Sequence, residues 1–232
     1  MKKTIGIIGG MGPMATVDLY EKITAHTLAN TDQEHIHVLI DSNAATPDRT
    51  EAILRGGPSP LPSLLRSAER LAAAGADFLI IPCNTSHHFI EDIRAASPIP
   101  VMSMIEQTAA YIVSHGYRKA ILLGTEGCLR VGVYQSVLEP YGVEAIVPDE
   151  AMQREVMDVV YRGIKADAPT WDVSRLNEML AELEGETDAV SVLACTELPL
   201  AVCRYGLRGT FVDPTLVLAL AAIREAGYPT KE

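Results

Sequence analysis

The chain has 232 residues, 48% hydrophobic and 21% charged, a soluble globular composition with room for one large core or two small ones. Its 30 acidic and 19 basic side chains give a formal net charge of -11, which argues against a nucleic-acid partner because such binding needs a basic footprint. A small anionic substrate is still compatible, since a local cluster of cations or N–H groups outweighs the global field.

The chain opens on Met1-Lys2-Lys3-Thr4 and a short apolar stretch, Ile5 to Ile8, too brief for the core of a secretion signal. At the other end the longest apolar run, Leu216 to Ile223, stops at Arg224-Glu225, far below membrane-spanning length. These features predict a cytoplasmic protein without a membrane partner. The 4 cysteines are scattered, with neither a disulfide framework nor the C-x-x-C or Cys/His spacing of a zinc site. No metal site is expected, and any thiol that matters acts singly.

In chain order the β-branched and apolar runs predict strands at Thr4–Ile8, His37–Ile40, Phe78–Ile81, Val101–Met102, Lys119–Leu123, Glu144–Ile146, Ala189–Leu193 and Thr210–Val212. Amphipathic stretches lie between them, such as Pro60 to Ala74 with Arg66 and Arg70 facing outward. Alternation of this kind signifies βαβ units and parallel sheets.

The chain also echoes itself. Ile7-Ile8-Gly9-Gly10-Met11-Gly12 returns as Leu122-Leu123-Gly124-Thr125-Glu126-Gly127, and Ile81-Pro82-Cys83-Asn84-Thr85 as Leu193-Ala194-Cys195-Thr196-Glu197. The offsets are 115 residues (Gly9 to Gly124) and 112 residues (Cys83 to Cys195), close enough to indicate a duplicated unit. The expected fold is therefore α/β, two pseudo-symmetric flavodoxin-like domains, each a mainly parallel sheet flanked by helices. Ligands of such sheets bind beyond the carboxyl ends of the strands, where all four echoed turns fall, so the active site is expected in a cleft between the domains.

Cys83 and Cys195 are the leading candidates for chemistry. A single cysteine near a strand end is usually a small buried hydrophobe. Two at symmetric strand-to-helix turns, where N–H groups and the helix dipole lower a thiol's pKa, point instead to function. Cys128 and Cys203 have no matching partner and read as structural. Paired thiols without a metal or flavin motif suit inversion of a stereocentre, one thiolate removing a proton and one thiol returning it from the other side. N–H groups at helix N-termini would neutralise a substrate carboxylate as carbanion charge develops.

Other features admit two readings. Gly10-Met11-Gly12-Pro13-Met14-Ala15 fits a dinucleotide fingerprint, with Asp41 at the end of the second strand as the ribose acid; a tight turn offering N–H groups to a small anion explains it equally. Arg49, in Pro47-Asp48-Arg49-Thr50, is either a solvated loop charge or a bidentate reader of a carboxylate. Lys165 follows a predicted helix from Met152 to Ile164, where cations are favoured anyway. His87, four residues after Cys83, could form a Cys–His pair or simply be a polar residue in the first turn of a helix.

Taken together, Gly9-Gly10-Met11-Gly12-Pro13 with Ala15-Thr16, Pro47-Asp48-Arg49-Thr50, Pro82-Cys83-Asn84-Thr85 with His87, and Ala194-Cys195-Thr196-Glu197-Leu198-Pro199 resemble the aspartate/glutamate racemase family over nearly the whole chain. The resemblance implies a domain over residues 1–104, completed by 210–232 as the last helix returns to it, and a second over 105–209. It implies a homodimer that works without pyridoxal phosphate, metal or nucleotide. Cys83 and Cys195 then match the two catalytic thiols. Asn84, Thr85 and Thr196 match positions that hold the α-carboxylate and amino group, assisted by Met11, Gly12 and Thr125. Arg49 and Lys165 match the basic pair with which aspartate-specific members bind the side-chain carboxylate. Two departures are Ser86, where alanine is common, and Ala194, where glycine is common.

The expected activity is interconversion of L- and D-aspartate, with glutamate a weaker possibility. Three alternatives stand beside it: a sister cysteine-dependent isomerase or decarboxylase of a small dicarboxylate, a nucleotide-dependent oxidoreductase, and a two-lobed amino-acid binding protein.

Overall fold

The computed structural model describes residues 2–231, which divide into two compact units, residues 2–104 with 215–231 and residues 105–214. The first contains strands β1 (Ile5–Gly9), β2 (Val38–Ser42), β3 (Phe78–Ile80) and β4 (Val101–Met102), hydrogen-bonded in the order β2-β1-β3-β4. The second contains β5 (Lys119–Gly124), β6 (Glu144–Ile146), β7 (Val190–Ala194) and β8 (Phe211–Val212), in the order β6-β5-β7-β8. Every pairing between these strands is parallel. The two sheets thus share one topology, as the internal echo predicts. All eight predicted strands form; β4 and β6 keep their predicted ends and the other six shift by a residue or two.

Helices of the first unit are α1 (Pro13–His26), α2 (Arg49–Arg55), α3 (Leu61–Ala73) and α4 (Ile90–Ala96), preceded by a 3-10 turn, Thr85–Phe89. Later in the chain come α5 (Met104–Ser114), α6 (Glu126–Arg130), α7 (Gln135–Leu138), α8 (Glu150–Asp158), α9 (Ser174–Thr187), α10 (Leu198–Tyr205) and α11 (Pro214–Glu225). Their ends obey local chemistry. Asp48, Thr125 and Asp149 accept backbone N–H bonds at the starts of α2, α6 and α8, while Gly56 and Gly206 end α2 and α10 in the left-handed conformation.

α3 shows how the pattern becomes packing. Leu64, Ala68 and Leu71 recur at helical spacing and are buried with Ile8, Leu79 and Ile81 of the first sheet, leaving Arg66 and Arg70 in solvent. The opposite face of that sheet is covered by α1 and by α11, whose Leu218, Ala219, Ala222 and Ile223 bury against Ile5, Ile7, Phe78 and Ile80. A Lys3–Glu225 ion pair and the Lys3 N–H bond to the Ala226 carbonyl fasten this last helix.

The expected boundary moves at one place. Residues 210–213 do not accompany the returning helix, because Phe211 and Val212 are the edge strand of the second sheet, in register with Ser191 and Val192. The crossing back to the first unit therefore comes at Pro214–Thr215. Among the described residues no helix is long and apolar enough to cross a membrane.

Candidate active site

In each sheet the strand order reverses between two central neighbours, β1/β3 in the first and β5/β7 in the second, which is where open α/β sheets bind ligands. The turns after these strands carry Met11 and Gly12, Cys83 to Thr85, Thr125, and Cys195 with Thr196. Equivalent turns of the two sheets thus carry the candidate residues, and the two cysteines occupy matching positions.

The turn after β1 is tight. Gly10 has φ 89°, and a side chain there would meet the Asn43 backbone at 2.4 Å, so only glycine fits. Thr16 of α1 locks it, its hydroxyl accepting from the Gly10 N–H at 2.9 Å and donating to the Gly12 carbonyl at 3.2 Å. Pro13 is the first residue of α1, where its missing N–H is harmless. Met11 is buried in one apolar cluster with Cys83, and Ser86 donates to its sulfur at 3.4 Å. The Ser86 departure thus ties the glycine turn to the cysteine turn.

Cys83 is 5% exposed and lies three residues beyond β3; buried Asn84 and Thr85 lead into the 3-10 turn. His87 acts here through the backbone. Its Nε2 accepts from the Met104 N–H at 3.0 Å, which leaves Nδ1 to carry the hydrogen it donates to the Cys83 carbonyl at 2.9 Å. The ring is therefore neutral, and both nitrogens are committed to main chain rather than to a Cys–His ion pair. Replacing His87 with Phe should leave two buried backbone groups without these partners and lower stability by on the order of 2–4 kcal/mol. Urea unfolding checks this, and an unchanged midpoint would contradict the strut role.

Arg49 opens α2, which packs against the 3-10 turn after Cys83. It is 9% exposed, and its Nη1 donates to the Pro47 carbonyl at 3.1 Å. Asp48 beside it is the helix cap. The arginine is therefore a buried, oriented group and not a solvated loop charge. Asp41, the acid of the dinucleotide reading, instead pairs with Arg70 at 3.5 Å.

In the second unit, Thr125 caps α6 by accepting from the Cys128 N–H at 3.4 Å. Ala194 pairs with Gly124 in the ladder, and the absence of a side chain on Gly124 leaves room for the alanine methyl. Cys195 comes immediately after, 7% exposed; its Sγ–H donates to Glu197 Oε2 at 3.0 Å. The Thr196 hydroxyl donates to the same oxygen at 3.5 Å. Lys165 Nζ meets the other oxygen, Oε1, at 3.1 Å.

Lys165 is placed by an irregularity the sequence pattern does not signal. The predicted continuous helix from Met152 to Ile164 is α8 continued by a π-helical turn, Val159–Ile164, and the Lys165 N–H bonds to the Val160 carbonyl. The wider turn swings Lys165 around the helix axis relative to its α-helical position. Gly163 lets the turn approach α10 closely, since a Cβ there would lie 3.1 Å from the Tyr205 ring.

One expectation is reversed. Burial, and then the Glu197 carboxylate, pushes the Cys195 thiol well above the usual thiol range, and Lys165 opposes this only in part. The strand-to-helix turn does not make this cysteine a ready thiolate. Glu197 has the sequence position of a capping group, and its role at the thiol is one that sequence reasoning misses. The available signal is the Cys-Thr-Glu spacing, which puts a carboxylate two residues from the thiol. Cys128 is buried and Cys203 exposed, neither at an echoed turn.

Comparison with known proteins bears on the family and the fold. A profile of the Asp/Glu/Hydantoin racemase family matches residues 8–225. The broad specificity amino-acid racemase RacX of Bacillus subtilis (strain 168) is 27% identical over 223 residues, covering 94% of this chain and 96% of RacX. The structure of Picrophilus torridus aspartate racemase superposes with a TM-score of 0.83 at 30% identity, covering 99% of this chain and 96% of that one. An aspartate racemase homologue from Pyrococcus horikoshii OT3 gives a TM-score of 0.79 at 25% identity, covering 98% and 100%. With the match running from the first strand to the last helix, the chain belongs to the Asp/Glu/Hydantoin racemase family.

Proposed function

We propose that the chain interconverts L- and D-aspartate, with glutamate a poorer substrate, by a two-base mechanism in which Cys83 and Cys195 are the acid–base pair. Membership of the family supports amino-acid racemase activity, an isomerase reaction. The observation that carries the finer reading is the pair of equivalent cysteines, one after the third strand of each of two sheets with the same strand order.

In this reading one thiolate takes the Cα proton and the opposite thiol gives a proton to the other side of the carbon; the roles exchange with the direction of reaction. Asn84, Thr85 and Thr196 hold the α-carboxylate and amino group, with Met11, Gly12 and Thr125 assisting. Backbone N–H groups at these turns offset the charge that grows on the carboxylate as the proton leaves. Arg49 and Lys165 bind the distal carboxylate, and the burial and orientation of Arg49 support that role. No pyridoxal phosphate, metal or nucleotide takes part. The resemblance further supports a cytoplasmic homodimer.

A second reading is broad specificity, favoured by the similarity to RacX. Chiral analysis of aspartate, glutamate and a set of neutral amino acids, each incubated with enzyme and no added cofactor, separates the two. Aspartate converted well ahead of the neutral set supports the first reading; equal conversion of all overturns it. No conversion of any would overturn both.

A further inference from the structure

We propose that Glu197 is the positioning residue of the second thiol, holding Cys195 as the proton-donating member of the pair and binding Lys165 to the same carboxylate. The part of Cys195 as proton donor rests on the racemase reading; the arrangement of Glu197 with Cys195 and Lys165 stands by itself.

The geometry is specific. A carboxylate accepts hydrogen bonds and donates none, so the 3.0 Å contact from Cys195 Sγ to Glu197 Oε2 selects the protonated thiol. The other oxygen is engaged by Lys165 at 3.1 Å. Glu197 is 3% exposed, and burial of an acidic side chain needs compensating charge and hydrogen bonds, which Lys165, Cys195 and Thr196 supply. Its side chain is not serving the adjoining helix. Glu197 stands at the N-terminal boundary of α10 and makes no capping bond with it. Among the described residues, the charged groups facing Cys195 are Glu197 from its own turn and Lys165 from the π-helical turn that packs on α10, with the Tyr161 ring 5.4 Å from Lys165 Nζ.

The consequence for turnover is a bias on the second thiol. When Cys195 acts as the acid, its S–H bond breaks, a C–H bond forms at the substrate carbon, and the electron pair remains on sulfur. The resulting thiolate faces the Glu197 carboxylate and is relieved by Lys165. In the reverse direction that thiolate removes the Cα proton and the S–H···carboxylate contact is restored. Glu197 therefore favours the state in which Cys195 holds the proton, and Lys165 favours the state in which it has lost it. Lys165 in this view acts on the thiol as well as on the substrate.

The test reads the thiol and not the reaction. The full chain is alkylated with iodoacetamide from neutral to alkaline pH, and the rate at Cys195 is tracked by peptide mass spectrometry. Glu197→Gln keeps the shape and removes the charge; it should lower the alkylation midpoint by about one pH unit, giving about tenfold faster labelling at neutral pH. Lys165→Met should raise the midpoint. A purely structural role would change the plateau rate but not the midpoint, so unmoved midpoints in both variants overturn the proposal. Should Glu197→Gln fail to fold, Lys165→Met still decides, and a midpoint no higher than wild type refutes the assignment. If the midpoints move as stated but no amino acid is racemised, the racemase reading falls and the Glu197 assignment stands.

Discussion

Alanine in place of either Cys83 or Cys195 should lower racemisation by about 10²–10⁴-fold, the range over which a positioned acid or base acts. The loss should appear in both directions, from L to D and from D to L, because each direction uses one thiol as base and the other as acid. Chiral chromatography of each reaction over time measures it. Full activity in either variant contradicts the pairing. Cys128→Ala and Cys203→Ala serve as controls, since neither residue lies at an echoed turn, and both should retain activity close to that of the unaltered enzyme. The high thiol pKa imposed on Cys195 by burial and by Glu197 adds a sign. As pH rises from neutral, Cys195 is slow to lose its proton, so the alkaline loss of activity caused by ionisation of both thiols is displaced upward from the usual thiol range. Glu197→Gln should bring it back down.

Arg49→Ala should produce the second large effect, and it should discriminate between substrates. A charge-assisted hydrogen bond to an ionised group contributes about 1.5–3 kcal/mol, so kcat/KM for aspartate should fall about 10- to 150-fold. For an amino acid with a neutral side chain the fall should be far smaller. Arg49→Lys should recover little, because the guanidinium offers a planar fork that an ammonium does not. Equal losses for aspartate and a neutral amino acid would contradict the assignment, pointing to a disturbed α2 or to a shared contact with the α-carboxylate. The Nη1 bond to the Pro47 carbonyl orients the guanidinium. Proline at that position restricts the backbone just before the Asp48 cap.

Strand positions were legible because burial on both faces leaves near-continuous β-branched runs, and the spacing of Leu64, Ala68 and Leu71 marked α3 in the same way. The cysteine turns were legible for a different reason: a duplicated chain repeats its constraints, and the repeat of Pro82-Cys83-Asn84-Thr85 in Ala194-Cys195-Thr196-Glu197 singles them out. Interactions that depend on a side chain's direction escaped the sequence. Glu197 could have capped α10 by position alone, yet its carboxylate turns to the Cys195 thiol and to Lys165. His87 is spaced to meet a thiol, yet bonds the carbonyl of the same cysteine. The π-helical turn before Lys165 leaves the apolar spacing nearly unchanged while rotating the lysine itself about the helix axis. The edge strand Phe211–Val212 is two residues long, too short for periodicity to assign it to one sheet or the other.

The central claim is that two thiols act on the two sides of one carbon, and proton exchange tests it most directly. Pure L-aspartate, and in a second reaction pure D-aspartate, is incubated with the enzyme in deuterated water, and both enantiomers are isolated before equilibrium. Two acid–base groups predict that the newly formed enantiomer carries deuterium at Cα while the remaining starting enantiomer is still unlabelled. A single group that removes and returns the proton predicts label in the starting enantiomer at a comparable rate, and that result would contradict the pairing of Cys83 with Cys195.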